Sequence, residues 1–382
     1  MKNIFAALTL ILTLIVFSTC VCAQEINDPI SEFSFSEIEG LIPEEISDML
    51  PKDIFSQSGT DAAKSVGEAL DVKTVFSHIV NSLLANIPNS VSHFAVLLGV
   101  IILSSAFGVL SESLKSEYVS QTVKFAIALS LVALLFLWQK EIFEAAVGYL
   151  KGLTQLMNGL LPVMGTIYAL GGNISSAAVQ SGFTMLMLAV CENAVIYVFM
   201  PILKVCFGFT LVTAISNGRP DMSGISKTVK GFYTAGITFL MLVILVMLTA
   251  RNMIASGSDG LAAQTVKFAL GNFIPVIGGA LGDSLGAVTA GLTLIKNGTG
   301  ALGVLLILLM SLPIIISLII NNVALSLLSL ISGVLGCEFE KKLFDEAKEL
   351  SGFAMALCGI CALTFILSVA VFVNTNVAIR MA

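Results

Sequence analysis

The chain has 382 residues, 57% of them hydrophobic and only 12% charged, with a mean hydropathy of +0.98 and a formal net charge of −6. Soluble globular domains run nearer half apolar and a quarter charged, so this composition leaves too little polar surface to cover a protein in water. It excludes a soluble enzyme, and an acidic chain is not expected to take a nucleic-acid partner.

Residues 1–23 have the form of a secretory signal peptide. Lys2 and the amino terminus give a weakly positive start, Ile4–Phe17 an apolar core, and Val21-Cys22-Ala23 small residues ahead of Gln24. The alternative is an uncleaved first transmembrane helix. Phe17-Ser18-Thr19 is a poor context for a lipoprotein signal at Cys20. Residues 24–85 form an acidic segment, with twelve Asp and Glu between Glu25 and Asp71 against Lys52, Lys64 and Lys73. Such segments cross membranes readily, so this one is expected outside the cytoplasm as short amphipathic helices broken at Pro43 and Pro51. Docking a partner and lying on the protein's own outer face are both open to it.

From residue 86 to 382 the chain reads as a polytopic membrane domain. Apolar runs at Ser90–Leu110, Val123–Trp138, Phe183–Ile215, Gly231–Ala250, Leu302–Ile331 and Phe353–Val373 predict about six transmembrane helices, an all-α fold. A transmembrane barrel would need shorter, alternating segments, which these are not. The third and fifth runs exceed one crossing and contain Pro201 and Pro313, which predicts kinks or interfacial extensions. Between the runs, Glu141–Gln180 and Arg251–Thr299 are too apolar for ordinary loops and too rich in glycine for ordinary helices.

Lysine and arginine give a provisional orientation. With the acidic segment outside, the cytoplasmic turns hold Lys115 and Lys124, then Lys204, Arg219, Lys227 and Lys230, then Lys341, Lys342 and Lys348. Positive charge is sparser on the other side, at Lys140, Lys151, Arg251, Lys267, Lys296 and Arg380.

Four landmarks recur in order at nearly constant spacing and suggest two tandem units, at about 120–218 and 226–333, before a last helix at about 352–374. "SQTVKFAIALSLVALLFLW" from Ser120 resembles "SKTVKGFYTAGITFLMLVI" from Ser226. "GLLPVMG" (Gly159–Gly165) answers to "NFIPVIG" (Asn272–Gly278), Pro201 to Pro313, and Thr213–Gly218 to Ser329–Gly333. Gln121–Ala126 also recurs as Gln264–Ala269, but out of this register. Two crossings per unit would make the repeat parallel; an odd number would invert it.

The candidate pathway or packing residues follow from that pattern. Pro162 and Pro275 each remove an amide donor, and Gly165 and Gly278 tolerate unusual backbone angles, so both segments should break. Freed backbone groups cannot face lipid, which leaves either a re-entrant or discontinuous helix at a pathway or a packed helix–turn–helix. Gly278, Gly282 and Gly286 lie four apart, as do Gly148 and Gly152. That spacing lets helices approach closely, within one subunit or between copies as a homo-oligomer. Glu192, with Asn193 beside it, is the clearest charge inside an apolar run, and Asp283 and Asn321-Asn322 follow.

No catalytic or cofactor-binding pattern is present. His78 and His93 have no metal-ligand partners at suitable spacing, and there is no zinc-protease, nucleophile-elbow or P-loop motif. Cys191, Cys206, Cys358 and Cys361 fall in apolar runs and Cys337 at a loop edge. Cys358-Gly-Ile-Cys361 therefore reads as helix packing and not as a redox motif. The sequons at Asn173 and Asn297 are short enough to be chance. No cofactor or metal is expected.

The signal peptide, the acidic segment, the Thr-Val-Lys helix starts, "LLPVMGTIYALGG", "FIPVIGGALGDS" and "CEFEKKLFDEAKELSGF" together resemble the stage III sporulation protein AE family of endospore-forming bacteria. The resemblance covers nearly the whole chain, though its features are textures and not a catalytic signature. It implies a multi-pass protein of the mother-cell membrane around the forespore. Its partners would be the other membrane subunits of a channel or secretion-like complex, with a separate ATPase subunit as energy source. No site residue is carried over by it. A self-sufficient secondary transporter, moving its two repeats against each other, is the competing reading.

Overall fold

The structure is a computed structural model and describes residues 72–113, 117–170, 174–215, 224–247, 249 and 278–374. The proposed signal peptide, most of the acidic segment and Pro275 lie outside the described residues. Helices account for almost all of the described chain: α1 (Val72–Ser113), α2 (Glu117–Leu170), α3 (Ile174–Ala194), α4 (Met200–Ile215), α5 (Gly224–Met247), α6 (Gly278–Val334) and α7 (Glu338–Asn374). A π-turn, Val195–Phe199, joins α3 to α4 without a break. Six of these rods are long and apolar enough to cross a membrane, so the fold is all-α and polytopic, as the apolar runs predict.

The predicted break at Pro162 is not there. α2 runs through it for 54 residues, about 81 Å at 1.5 Å per residue. A proline inside a helix costs about 3 kcal/mol. Unwinding instead would strip several backbone groups of their partners, each worth several kcal/mol away from water, so continuing the helix wins. Pro162 sits on the exposed face, while Leu160, Leu161, Val163, Met164 and Ile167 are buried and hold the turn in place. Thr166 Oγ1 donates back to Pro162 O at 2.9 Å. α6 likewise runs through Pro313 for 57 residues. Pro201 is accommodated differently. The π-turn ends at Phe199, two residues before it, with Met200 N–H donating to Val195 O, and this wider turn relieves the clash of the ring with the preceding turn.

The core is a stack of large apolar side chains from every rod, including Trp138, Phe143, Tyr233, Phe344, Phe365 and Phe372. α6 and α7 form a hairpin closed by Gly336 at φ 74°, a conformation that favours glycine. Cys337 N–H donates to Ser332 O at 2.8 Å and Gly336 N–H to Gly333 O at 3.3 Å, the paired bonds of a Schellman cap.

Contacts between rods set which ends lie together. Ser104 Oγ donates to Glu340, and Ser105 Oγ to Leu335 O at 3.3 Å, which puts the last third of α1 beside the α6–α7 turn. Lys230, near the start of α5, pairs with Glu346 and Glu349 of α7. The helix ends nearest the three predicted lysine-rich turns therefore share one end of the bundle.

Candidate functional site: a polar face along α2

Two layers of contacts fix the register of α2, α6 and α7. In the first, Gln139, Asn321 and Ser351 form a fully buried polar knot. Gln139 Nε2 donates to Asn321 Oδ1 at 3.2 Å, and Asn321 Nδ2 donates to Ser351 Oγ at 2.8 Å. Such a network is stable in an apolar core only because each member is satisfied. In the second layer, a methyl group placed on Gly303 would stand 3.4 Å from Leu160 Cδ1 and 3.5 Å from Val369 Cγ1. Between the two layers Tyr149 OH and Ser311 Oγ meet at 2.8 Å, linking α2 to α6 again.

From Ser351 to Val369 is eighteen residues, about 27 Å of helix, close to the ~30 Å of a hydrocarbon core. Over this length α7 carries no charge, and its exposed positions are Ala356 and Leu367. α5 runs beside it, with Tyr233 5.1 Å from Phe353 between ring centroids, and exposes Phe239, Leu242, Leu245 and Val246. These are surfaces for lipid.

α2 differs over the same length. Its described exposed residues beyond Gln139 are Lys140, Glu141, Glu144, Ala145, Gly148, Lys151, Gln155, Asn158, Pro162 and Thr166; Glu141 and Ala145 flank a row in which the others are spaced four, four, three, four, three, four and four apart. That spacing is one face of a helix. Its other side is buried from Ile142 to Ile167. Lys140 Nζ lies 3.8 Å from Glu144, and Glu141 lies 3.4 Å from His93 Nε2, whose ring stacks on Trp138 with centroids 5.5 Å apart. A face of charges and amides is too costly to set in hydrocarbon, so it calls for water or a polar neighbour.

A second polar cluster ties α5 to α7. Lys230 is nearly buried, 2.9 Å from Glu349 and bonded to Glu346 as well, while Ser329 Oγ donates to Asp345 at 2.7 Å. Burial raises the Cys337 thiol above its usual range, with Glu340 beside it adding to the shift. Among the described residues no group of His, Cys, Asp or Glu could hold a metal ion. The five described cysteines are free and buried.

The residues singled out from sequence do not converge. Pro162 lies on the polar face of α2, and Gly165 packs toward Ser181 of α3. Glu192 is half-buried, and Asn193 donates to Ala189 O of its own helix at 2.7 Å; the π-turn and Pro201 follow directly. Pro313 lies in mid-α6, and Gly278, Gly282, Asp283 and Gly286 fall in its first nine residues. The polar face is not legible from local rules, because a segment expected to break at Pro162 has no continuous helical face along which its polar residues could align.

The family model for stage III sporulation protein AE matches residues 57–376. The stage III sporulation protein AE of Bacillus subtilis (strain 168) is 25% identical over 364 residues, covering 92% of this chain and 86% of the relative. No solved structure matches the chain. On the extent of the family match, the chain belongs to the stage III sporulation protein AE family.

Proposed function

We propose that this protein is a non-enzymatic, multi-pass subunit of a channel or secretion-like complex between mother cell and forespore. It would sit in the mother-cell membrane around the forespore, with its acidic amino-terminal segment outside the cytoplasm and other membrane subunits as partners. One observation carries the reading: the polar outward face of α2 runs alongside an apolar, membrane-length stretch of α7. A helix so placed contributes a wetted wall, which a scaffold buried in lipid would not need. The family supports the sporulation context. The absence of a catalytic pattern from the sequence fits a subunit whose energy comes from elsewhere.

The test makes that wall apolar. Gln155→Leu with Asn158→Leu should leave the amount of protein in the membrane unchanged while reducing late forespore gene expression at least tenfold. Full sporulation with both leucines in place would overturn the proposal. So would robust solute uptake by the purified chain alone in liposomes, which the transporter reading requires.

A further inference from the structure

Between the polar knot and the lysine-rich end, the two arms of the α6–α7 hairpin turn opposite surfaces outward. Their levels are fixed by contact: Asn322 Nδ2 donates to Ser351 Oγ at 3.4 Å, Ser329 Oγ to Asp345 at 2.7 Å, and a methyl group on Gly333 would stand 3.2 Å from Lys341 Cδ. Over this depth α6 exposes Val323, Leu327, Leu330 and Val334, spaced four, three and four apart, one apolar face for lipid. Leu103 and Val109 of α1 continue that apolar surface, since Ser104 and Ser105 reach the hairpin turn. α7 instead exposes Glu338, Lys342, Asp345 and Glu349, also spaced four, three and four, with Lys348 beside them. Lys230 of α5 pairs with Glu346 and Glu349 at the edge of this face. Five exposed charges at a depth where the partner helix is apolar outward call for water.

We infer that the polar faces of α7 and α2 are the two mouths of one path, opening at opposite ends of the bundle, and that the knot of Gln139, Asn321 and Ser351 is its closed gate. This rests on the reading of the α2 face as a wetted wall. The two faces end at the knot from opposite sides. Glu349 stands two residues before Ser351, and Lys140 one residue after Gln139. Only about 5 Å of helix length therefore separates them, where a bilayer holds ~30 Å of hydrocarbon. One layer of side chains is left as the barrier. Its three members come from three helices, are neutral and are fully buried. One turn away on either side, Leu135, Phe143, Leu318, Leu325, Ala347 and Ala354 pack the level shut. Apolar packing alone would seal it for good. A hydrogen-bonded layer seals it reversibly, because water can take over each bond as the helices part. Both mouths carry charges of both signs, so the open path passes water and small solutes without strong selection for charge. With the knot closed the chain alone passes nothing, and opening falls to the complex.

Thiol labelling of the full chain in its native membrane tests the mouths, and ion flux tests the gate. The five described native cysteines are buried and give a low background in the parent chain. Lys348→Cys should react with a membrane-impermeant maleimide from the cytoplasmic side only, and Gln155→Cys from the opposite side only. Each should react at least ten times faster than Leu327→Cys on α6. In vesicles holding the purified full chain, Gln139→Ala with Asn321→Ala should raise potassium efflux at least tenfold over the parent. Gln139→Leu with Asn321→Leu should stay as tight as the parent. Unchanged efflux in the alanine pair, with helical content retained, would overturn the gate. An equal rise in the leucine pair would overturn it too, since a leak through a disturbed fold needs no polar layer. If Lys348 reacts no faster than Leu327 while Gln155 is labelled, the path falls and the wall of α2 stands. If Gln155 is unreactive while Lys348 is labelled, the wetted-wall reading itself fails, and the path with it.

Discussion

α2 and α7 run in the same direction, are locked together through α6 at one polar knot, and change outward character at that knot in opposite senses. α2 is apolar outward before Gln139 and polar after it, whereas α7 is charged outward before Ser351 and apolar after it. Both are unbroken helices with one buried side, so propensity and core packing cannot distinguish them. The difference lies entirely in what each outward face must meet. A single bilayer cannot satisfy both helices along their whole length, since each offers one face unsuited to lipid at a level where the other suits it. At least one face of α2 therefore belongs to water or to protein.

The most damaging way to break this comparison is to release α7 from α5. Lys230→Met leaves Glu346 and Glu349 facing each other without their cation at a mostly buried position. Removing one partner of a buried pair costs about 3–5 kcal/mol; the carboxylates here are 32% and 43% exposed, which brings the expected loss to about 3 kcal/mol. Thermal unfolding in detergent should show it, and Lys230→Arg should recover part of it. Next comes the far layer. A methyl group on Gly300 would stand 2.0 Å from Val373 Cγ2, so Gly300→Ala should cost about 2 kcal/mol, while Gly148→Ala, with nothing within 4 Å, should be neutral within error. In the knot itself, Asn321→Leu strands the amide of Gln139 and should cost about 1–3 kcal/mol; adding Gln139→Leu should restore much of that loss. The smallest effect concerns Cys337 at the head of α7. Its raised thiol pKa means less thiolate at neutral pH than a free cysteine has. Alkylation should therefore be slow at pH 7.5 and accelerate with pH beyond the range where free thiols level off; a free-thiol rate would contradict the burial.

Much of the fold could be read from the chain. Six apolar runs became six rods of crossing length, and the described helix ends next to the lysine-rich turns share one end of the bundle. These signals are additive along the sequence, so no knowledge of packing is needed to read them. What failed was the reading of Pro162. Local rules weigh the lost hydrogen bond and the ring clash, but they omit the larger cost of unpaired backbone in an apolar setting, which keeps α2 whole. A helix expected to break there offers no continuous face, so the spacing of Lys140, Glu144, Lys151 and Gln155 does not register as one in the sequence. Asn321 and Asn322 stood out as polar residues in an apolar run. Their partners Gln139 and Ser351 could not be named, because pairing between distant helices leaves no trace in one sequence.

The central claim is that, at one level of the bundle, α2 faces water while α7 faces lipid. Spin labels at Gln155→Cys and Leu367→Cys, in membranes containing the full chain, measure this directly. Collision with a water-soluble nickel relaxer should dominate at Gln155, and collision with oxygen dissolved in the bilayer should dominate at Leu367. The same relaxation pattern at both sites, whether wet or lipid-embedded, would contradict the account.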